Sequence, residues 1–180
     1  MKKTNFDDTT QHESIACCFI GHRKIQETKE LTAKLRLEII NLINNEGVNT
    51  FLFGSKSEFN SLCHKVVSEL KKDFPHIKRI YVRAEFPVIS ESYESYLLES
   101  YESTYFPKKI LNSHKASYVE RNYEMIDNCS YCICYYDENY APPRRKSNKR
   151  DLFDCQTKSG TRMAFDYAKR RNLTVCNVFE

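Results

Sequence analysis

The 180-residue sequence is poor in glycine (four residues) and proline (five), and it has no tryptophan. That scarcity excludes a collagen-like, linker-rich or low-complexity chain, and a hydrophobic content of 41% argues against wholesale disorder. No run approaches the roughly 20 apolar residues needed to cross a bilayer. The opening Met-Lys-Lys-Thr-Asn-Phe-Asp-Asp also lacks a signal-peptide core. The expectation is a soluble, cytoplasmic protein with no membrane partner. Residues 1–180 are read as one domain, with 1–13 flexible, because a single core stays efficient up to roughly 250 residues. Without a secretion signal, the eight cysteines read as reduced thiols rather than a disulfide framework.

The formal charge of +4 is unevenly placed. Between Pro142 and Arg171 stand ten Lys/Arg and three Asp/Glu, so this stretch is strongly basic and the remainder slightly acidic. A uniformly basic nucleic-acid binder reads differently. Here the positive field sits in the C-terminal third, where it can hold an anion.

Hydrophobic periodicity divides the chain into alternating strands and helices. Ile15 to Ile20 is an apolar run ending at Gly21, the pattern of a strand covered on both faces. Leu31, Leu35, Ile39, Leu42 and Ile43 recur at helical spacing up to Gly47. A second strand, Thr50 to Phe53, ends at Gly54. Phe59, Leu62, Cys63, Val66, Val67 and Leu70 mark a second helix closed by Pro75, and Ile77 to Val82 marks a third strand. Residues 86–117 form a Tyr- and Ser-rich excursion without lasting periodicity, read as a partly ordered segment or lid. Tyr118, Asn122, Met125, Ile126 and Cys129 then line one side of a helix, and Tyr131 to Tyr136 is a strand. A basic loop fills 137–159. A helix from about Thr161 buries Ala164, Tyr167 and Ala168, and Thr174 to Val178 is the last strand. This order predicts an α/β fold: a Rossmann-like, open, mainly parallel sheet of about five strands with helices on both faces.

In such a sheet, ligands collect at the carboxyl ends of strands where the strand order reverses. Gly21-His22-Arg23-Lys24 follows the first strand, Gly54-Ser55-Lys56-Ser57 follows the second, and Ser159-Gly160-Thr161 precedes the last helix. Glycine there allows tight turns and close backbone approach, and a helix N-terminus offers unpaired N–H donors to a phosphate. Neither G-x-G-x-x-G nor G-x-x-x-x-G-K-[ST] is present. The joint placement of the short motifs carries the argument.

Four segments, Cys18-Phe-Ile-Gly-His-Arg23, Phe53-Gly-Ser-Lys-Ser-Glu-Phe-Asn60, Glu120-Arg-Asn-Tyr-Glu-Met-Ile-Asp127 and Ser159-Gly-Thr161, resemble the SLOG superfamily (the SMF/DprA and LOG group), above all its YpsA-like branch. The likeness runs from about Ile15 to Val178. It implies a Rossmann-like fold and a nucleotide or nucleotide-derived ligand such as ADP-ribose or an NAD-derived molecule, with no certain cofactor. It further implies ligand loops at Gly21, His22 and Arg23 and at Gly54, Ser55 and Lys56. Arg121 and Asn122 would form an Arg-Asn motif, and Ser159, Gly160 and Thr161 the phosphate-binding turn. Asn60 stands where relatives often carry an acid. LOG-type phosphoribohydrolases carry a Gly-Gly-x-Gly-Thr-x-x-Glu run, and Ala164 occupies the glutamate position here. The resemblance therefore favours a sensor or sequestering module over an N-glycosidase, and names no catalytic residue.

Bland readings stand beside these. Arg23 and Arg121 suit a phosphate through their planar forks, or form ion pairs. His22 suits donation or acid–base chemistry, or simply braces a turn. Cys129, Cys132 and Cys134, like Cys17 and Cys18, read as small core residues rather than zinc ligands. Tyr93, Tyr96, Tyr101 and Tyr105 read as packing or a homo-oligomer interface before they read as a lid over a base. The loop Arg144-Arg145-Lys146-Ser-Asn-Lys149-Arg150 reads as solvated, with nucleic acid as the less favoured partner.

Overall fold

The computed structural model describes residues 14–54, 56–140 and 159–179. Residues 1–13 and most of the basic loop, 141–158, therefore lie outside the described residues, as does Ser55. The elements run β1 (Ala16–Gly21), α1 (Lys29–Asn45), β2 (Thr50–Phe53), α2 (Glu58–Leu70), β3 (Lys78–Val82), α3 (Glu91–Leu98), β4 (Ser103–Tyr105), α4 (Lys115–Asp127), β5 (Tyr131–Tyr135), α5 (Gly160–Arg170) and β6 (Thr174–Asn177). The strands form one sheet in the order β4-β3-β2-β1-β5-β6. Every pairing is parallel. The fold is Rossmann-like α/β.

Successive strand residues point to opposite faces, so each strand feeds two cores. Cys17 and Phe19 of β1, Phe51 and Phe53 of β2, and Ile133 and Tyr135 of β5 pack beneath α1 and α2. Cys18, Ile20, Leu52, Cys132 and Cys134 face α4 and α5 instead. Both faces are thus dry, which is why these strands read as unbroken apolar runs. Helix α1 begins where the Thr28 side chain accepts the Leu31 N–H, and the chain turns out of it through Gly47 at a φ of 67°. The predicted apolar stripes of α1 and α2 are buried in full. All five cysteines named above lie in or against these cores.

Two details differ from the sequence expectations. The excursion adds an ordered α–β unit, so the sheet has six strands rather than five. Ser90 caps α3 by accepting the Tyr93 N–H, and three-residue β4 pairs with β3. Helix α3 buries only Leu97, so it has no apolar stripe to read, and β4 is too short to alternate. Tyr101 fills the space beneath it, with ring centroids 5.2 Å from Tyr81 and 4.7 Å from His64. The second difference is the face of α4. The buried row is Ser117, Arg121, Met125 and Ile126, while Tyr118 is exposed and Asn122 half-buried. An arginine occupies the inward position, and a polarity pattern assigns such a residue outward.

Candidate functional site

Strands β2 to β4 spread to one side of β1, whereas β5 and β6 lie on the other. The strand order therefore reverses between β1 and β5, the crevice where open α/β sheets place ligands. Helices α1 and α5 approach it from opposite faces of the sheet.

The β1 side is built from Gly21 and His22. Pairing with β5 extends past the strand end, because the His22 N–H donates to the Tyr135 carbonyl at 3.3 Å. Gly21 is required by packing: a Cβ there would meet the Phe59 ring at 2.2 Å. The His22 ring is almost fully buried, stacked on Tyr140 with centroids 3.9 Å apart and planes 16° from parallel. Its Nε2 lies 3.0 Å from the Asp137 amide nitrogen and 3.2 Å from the Asp137 carbonyl oxygen. It accepts the N–H in one tautomer of the ring and donates to the carbonyl in the other, so the Asp137 backbone holds the ring in either. Burial lowers the pKa of the ring and so favours the neutral imidazole. Nδ1 itself is buried with no hydrogen-bond partner among the described residues.

Helix α5 is clasped to this strand end by the Thr161 hydroxyl, which donates to the Gly21 carbonyl at 3.0 Å. Ser159 caps the helix by accepting the Arg162 N–H at 3.1 Å. The first turn contains no acid, and a Cβ added at Gly160 would meet none of the described residues within 4 Å. Ala164, in contrast, points down into the core. The glutamate of the LOG pattern has no counterpart at that position.

The β2–β3 side is different in kind. The missing Cβ of Gly54 is occupied by the Arg121 guanidinium, which would lie 2.3 Å from it. Arg121 Nη1 donates to the Gly54 carbonyl and, at 3.2 Å, to the Val82 carbonyl, and Nε donates to Asn122 Oδ1 at 3.0 Å. The side chain is 2% exposed, and burial drives its pKa down to about 10. The nearby groups that favour its charge are two tyrosines, Tyr81 and Tyr118. Asn60 joins the two halves. Its Nδ2 donates to the Phe19 carbonyl at 3.2 Å, and its Oδ1 accepts the Gly54 N–H at 3.4 Å.

Arg23 and Lys56 are exposed on the rim. The Arg23 carbonyl accepts the Glu58 N–H at 3.0 Å, while Lys24 pairs with the Glu58 carboxylate. Glu58 also accepts the Ile25 N–H at 3.0 Å, so the loop after β1 is clipped to the start of α2. The Lys24 ammonium, first, and that N–H hold the Glu58 carboxyl below its ordinary value.

The structure thus gathers Gly21, His22, Ser159, Gly160 and Thr161 at the β1–β5 crevice. Gly54, Arg121 and Asn122 form an adjoining cluster. Sequence reasoning missed Tyr135, Asp137 and Tyr140, which hold His22. The usable signal was their position at and just past the carboxyl end of β5, the edge where parallel sheets place ligands. Among the described residues, no group of three or more His, Cys, Asp or Glu is placed to hold a metal. None of the described helices is long and apolar enough to cross a membrane.

No family model and no curated protein matches the chain. Among solved structures, DNA processing protein A from Helicobacter pylori, described with a single-stranded DNA binding mode, aligns with a TM-score of 0.51 at 14% identity. The alignment covers 89% of this chain and 63% of that one, so the chain spans less than two thirds of its neighbour. That likeness shows a shared Rossmann-like fold. S. aureus TarJ, solved in complex with NADPH, aligns with a TM-score of 0.39 at 11% identity over 86% of this chain and 46% of its own, too distant to carry an argument.

Proposed function

We propose that the chain binds a nucleotide or nucleotide-derived ligand in the crevice between β1 and β5, as a sensor or sequestering module of the SLOG type. The phosphate lies over the first turn of α5. The observation that carries this reading is the Thr161–Gly21 clasp, which holds an acid-free, uncluttered helix N-terminus at the point where the strand order reverses. Such a terminus presents N–H donors and a partial positive charge to an anion. His22 adds a buried Nδ1, unpartnered among the described residues, beside it. Arg121 contributes charge from beneath β2, and Arg23 and Lys56 contribute from the rim. Ala164 in the core supports binding without glycosidic hydrolysis.

The test is isothermal titration against ADP-ribose, NAD, cyclic nucleotides and nucleoside monophosphates, repeated with Gly160→Asp. A Cβ at that position meets no neighbour within 4 Å among the described residues, so the fold should persist. Its carboxylate faces the proposed phosphate and should weaken binding by about tenfold or more. Folded protein that binds nothing in the panel would overturn the reading. Binding that survives Gly160→Asp and instead falls steeply with salt on single-stranded DNA would point to nucleic acid.

A further inference from the structure

A cavity of about 310 Å³ opens on the α1 face of the same junction, opposite α5. Leu31, Tyr135, Val178 and Phe179 form its apolar walls, and Thr28, Glu30 and Lys34 its polar side. The volume lies at the lower end of small-molecule pockets, which begin at about 300 Å³, and suits a single ring system rather than a dinucleotide. Tyr135 and Phe179 meet edge to face, centroids 5.2 Å apart, and Phe179 is 42% exposed. An exposed aromatic ring of this kind is a surface on which a flat ligand can stack.

We propose that this cavity is the base subsite, holding a heteroaromatic ring that carries an exocyclic amino group. The proposal rests on the reading that the phosphate lies at α5, and a contrast between the two helix starts supports it. The first turn of α5 holds no acid, whereas that of α1 holds Glu30. A carboxylate there opposes a phosphate and accepts a hydrogen bond from an amine. Lys34, one turn further on, balances its charge, so the pocket suits a neutral ring. Direct contacts link the two ends. Tyr135 pairs in register with Gly21, its carbonyl takes the His22 N–H, and the Gly21 carbonyl takes the Thr161 hydroxyl. A ligand occupying both ends would cross the strand ends over Gly21 and His22.

The experiment titrates the full chain with AMP, IMP and ribose 5-phosphate. AMP should bind about tenfold tighter than ribose 5-phosphate, because base stacking on an aromatic ring is worth that much or more. It should bind roughly fivefold tighter than IMP, whose ring lacks the amino group. Phe179→Ala should lower AMP affinity about tenfold and leave ribose 5-phosphate unchanged. Glu30→Gln should erase the preference for AMP over IMP. Both positions are exposed, so the variants should fold. Equal affinity for AMP and ribose 5-phosphate, or indifference of AMP to Phe179→Ala, overturns the base subsite and leaves the phosphate reading standing. Binding of none of the three probes overturns the base subsite, and it overturns the phosphate reading as well when ADP-ribose, NAD and the cyclic nucleotides also fail to bind.

Discussion

The two halves of the carboxyl edge use similar residues for different ends. At β2 and β3, glycine and arginine close on each other: Gly54 makes room, Arg121 fills it, and Nη1 and Nε are spent on carbonyl oxygens and Asn122. Beside β1 and β5, Gly160 has open space and His22 Nδ1 no partner among the described residues. A short glycine motif therefore marks either a clasp or an opening. Neighbouring side chains, absent from the motif, decide which.

Breaking the clasp should give the largest effect. Arg121→Ala leaves two carbonyls without their donor and opens a cavity beneath β2, at a cost of roughly 2–5 kcal/mol in a denaturant titration. A loss below about 1 kcal/mol would show that the buried guanidinium is not what joins these strand ends. Adding one methyl group sharpens the contrast. Gly54→Ala collides with Arg121, and Gly21→Ala collides with Phe59, so each should cost about 1–3 kcal/mol. Gly160→Ala meets nothing among the described residues and should stabilise the chain by about 0.5 kcal/mol through helix propensity alone. Equal costs at all three positions would erase the distinction between clasp and opening.

Acid provides a gentler probe of the β1–β5 half. Burial lowers the pKa of His22, and that of His64, in the folded chain. The unfolded chain consequently binds more protons once pH drops below the ordinary histidine value of about 6.5. Their contribution is complete above that value and is lost as pH falls through it toward the lowered folded values. Melting temperatures followed from pH 7.5 to pH 5.5 should fall, and His22→Gln should flatten the slope. Carboxylates titrate below this window, so an unchanged slope would mean that His22 is not the buried, neutral ring described.

Much of this was legible in the sequence because burial on both faces leaves a plain signature. The runs at β1 and β5 and the stripes of α1 and α2 are apolar for the reason that they are covered, and the alternation of elements implied a parallel sheet. The reversal between β1 and β5 was not legible, since strand order depends on which side each crossover takes. Helix α3 and strand β4 hid for another reason: they hold few buried residues, and tyrosines such as Tyr101 pack without a period. Arg121 was visible as a motif, but its inward direction was not. Polarity patterns place a charge outside unless carbonyl partners such as Gly54 and Val82 come from distant segments. His22 shows the same limit, since its meaning lies in Asp137 and Tyr140, more than a hundred residues away.

The central claim is that the open first turn of α5, beside His22, receives the phosphate. Amide ¹H–¹⁵N spectra recorded as AMP or ADP-ribose is added test it most directly. The Gly160, Thr161 and His22 amides should shift most and saturate together, while the amides of α3 and β4 stay in place. Shifts that bypass Gly160 and Thr161 and gather elsewhere would contradict it.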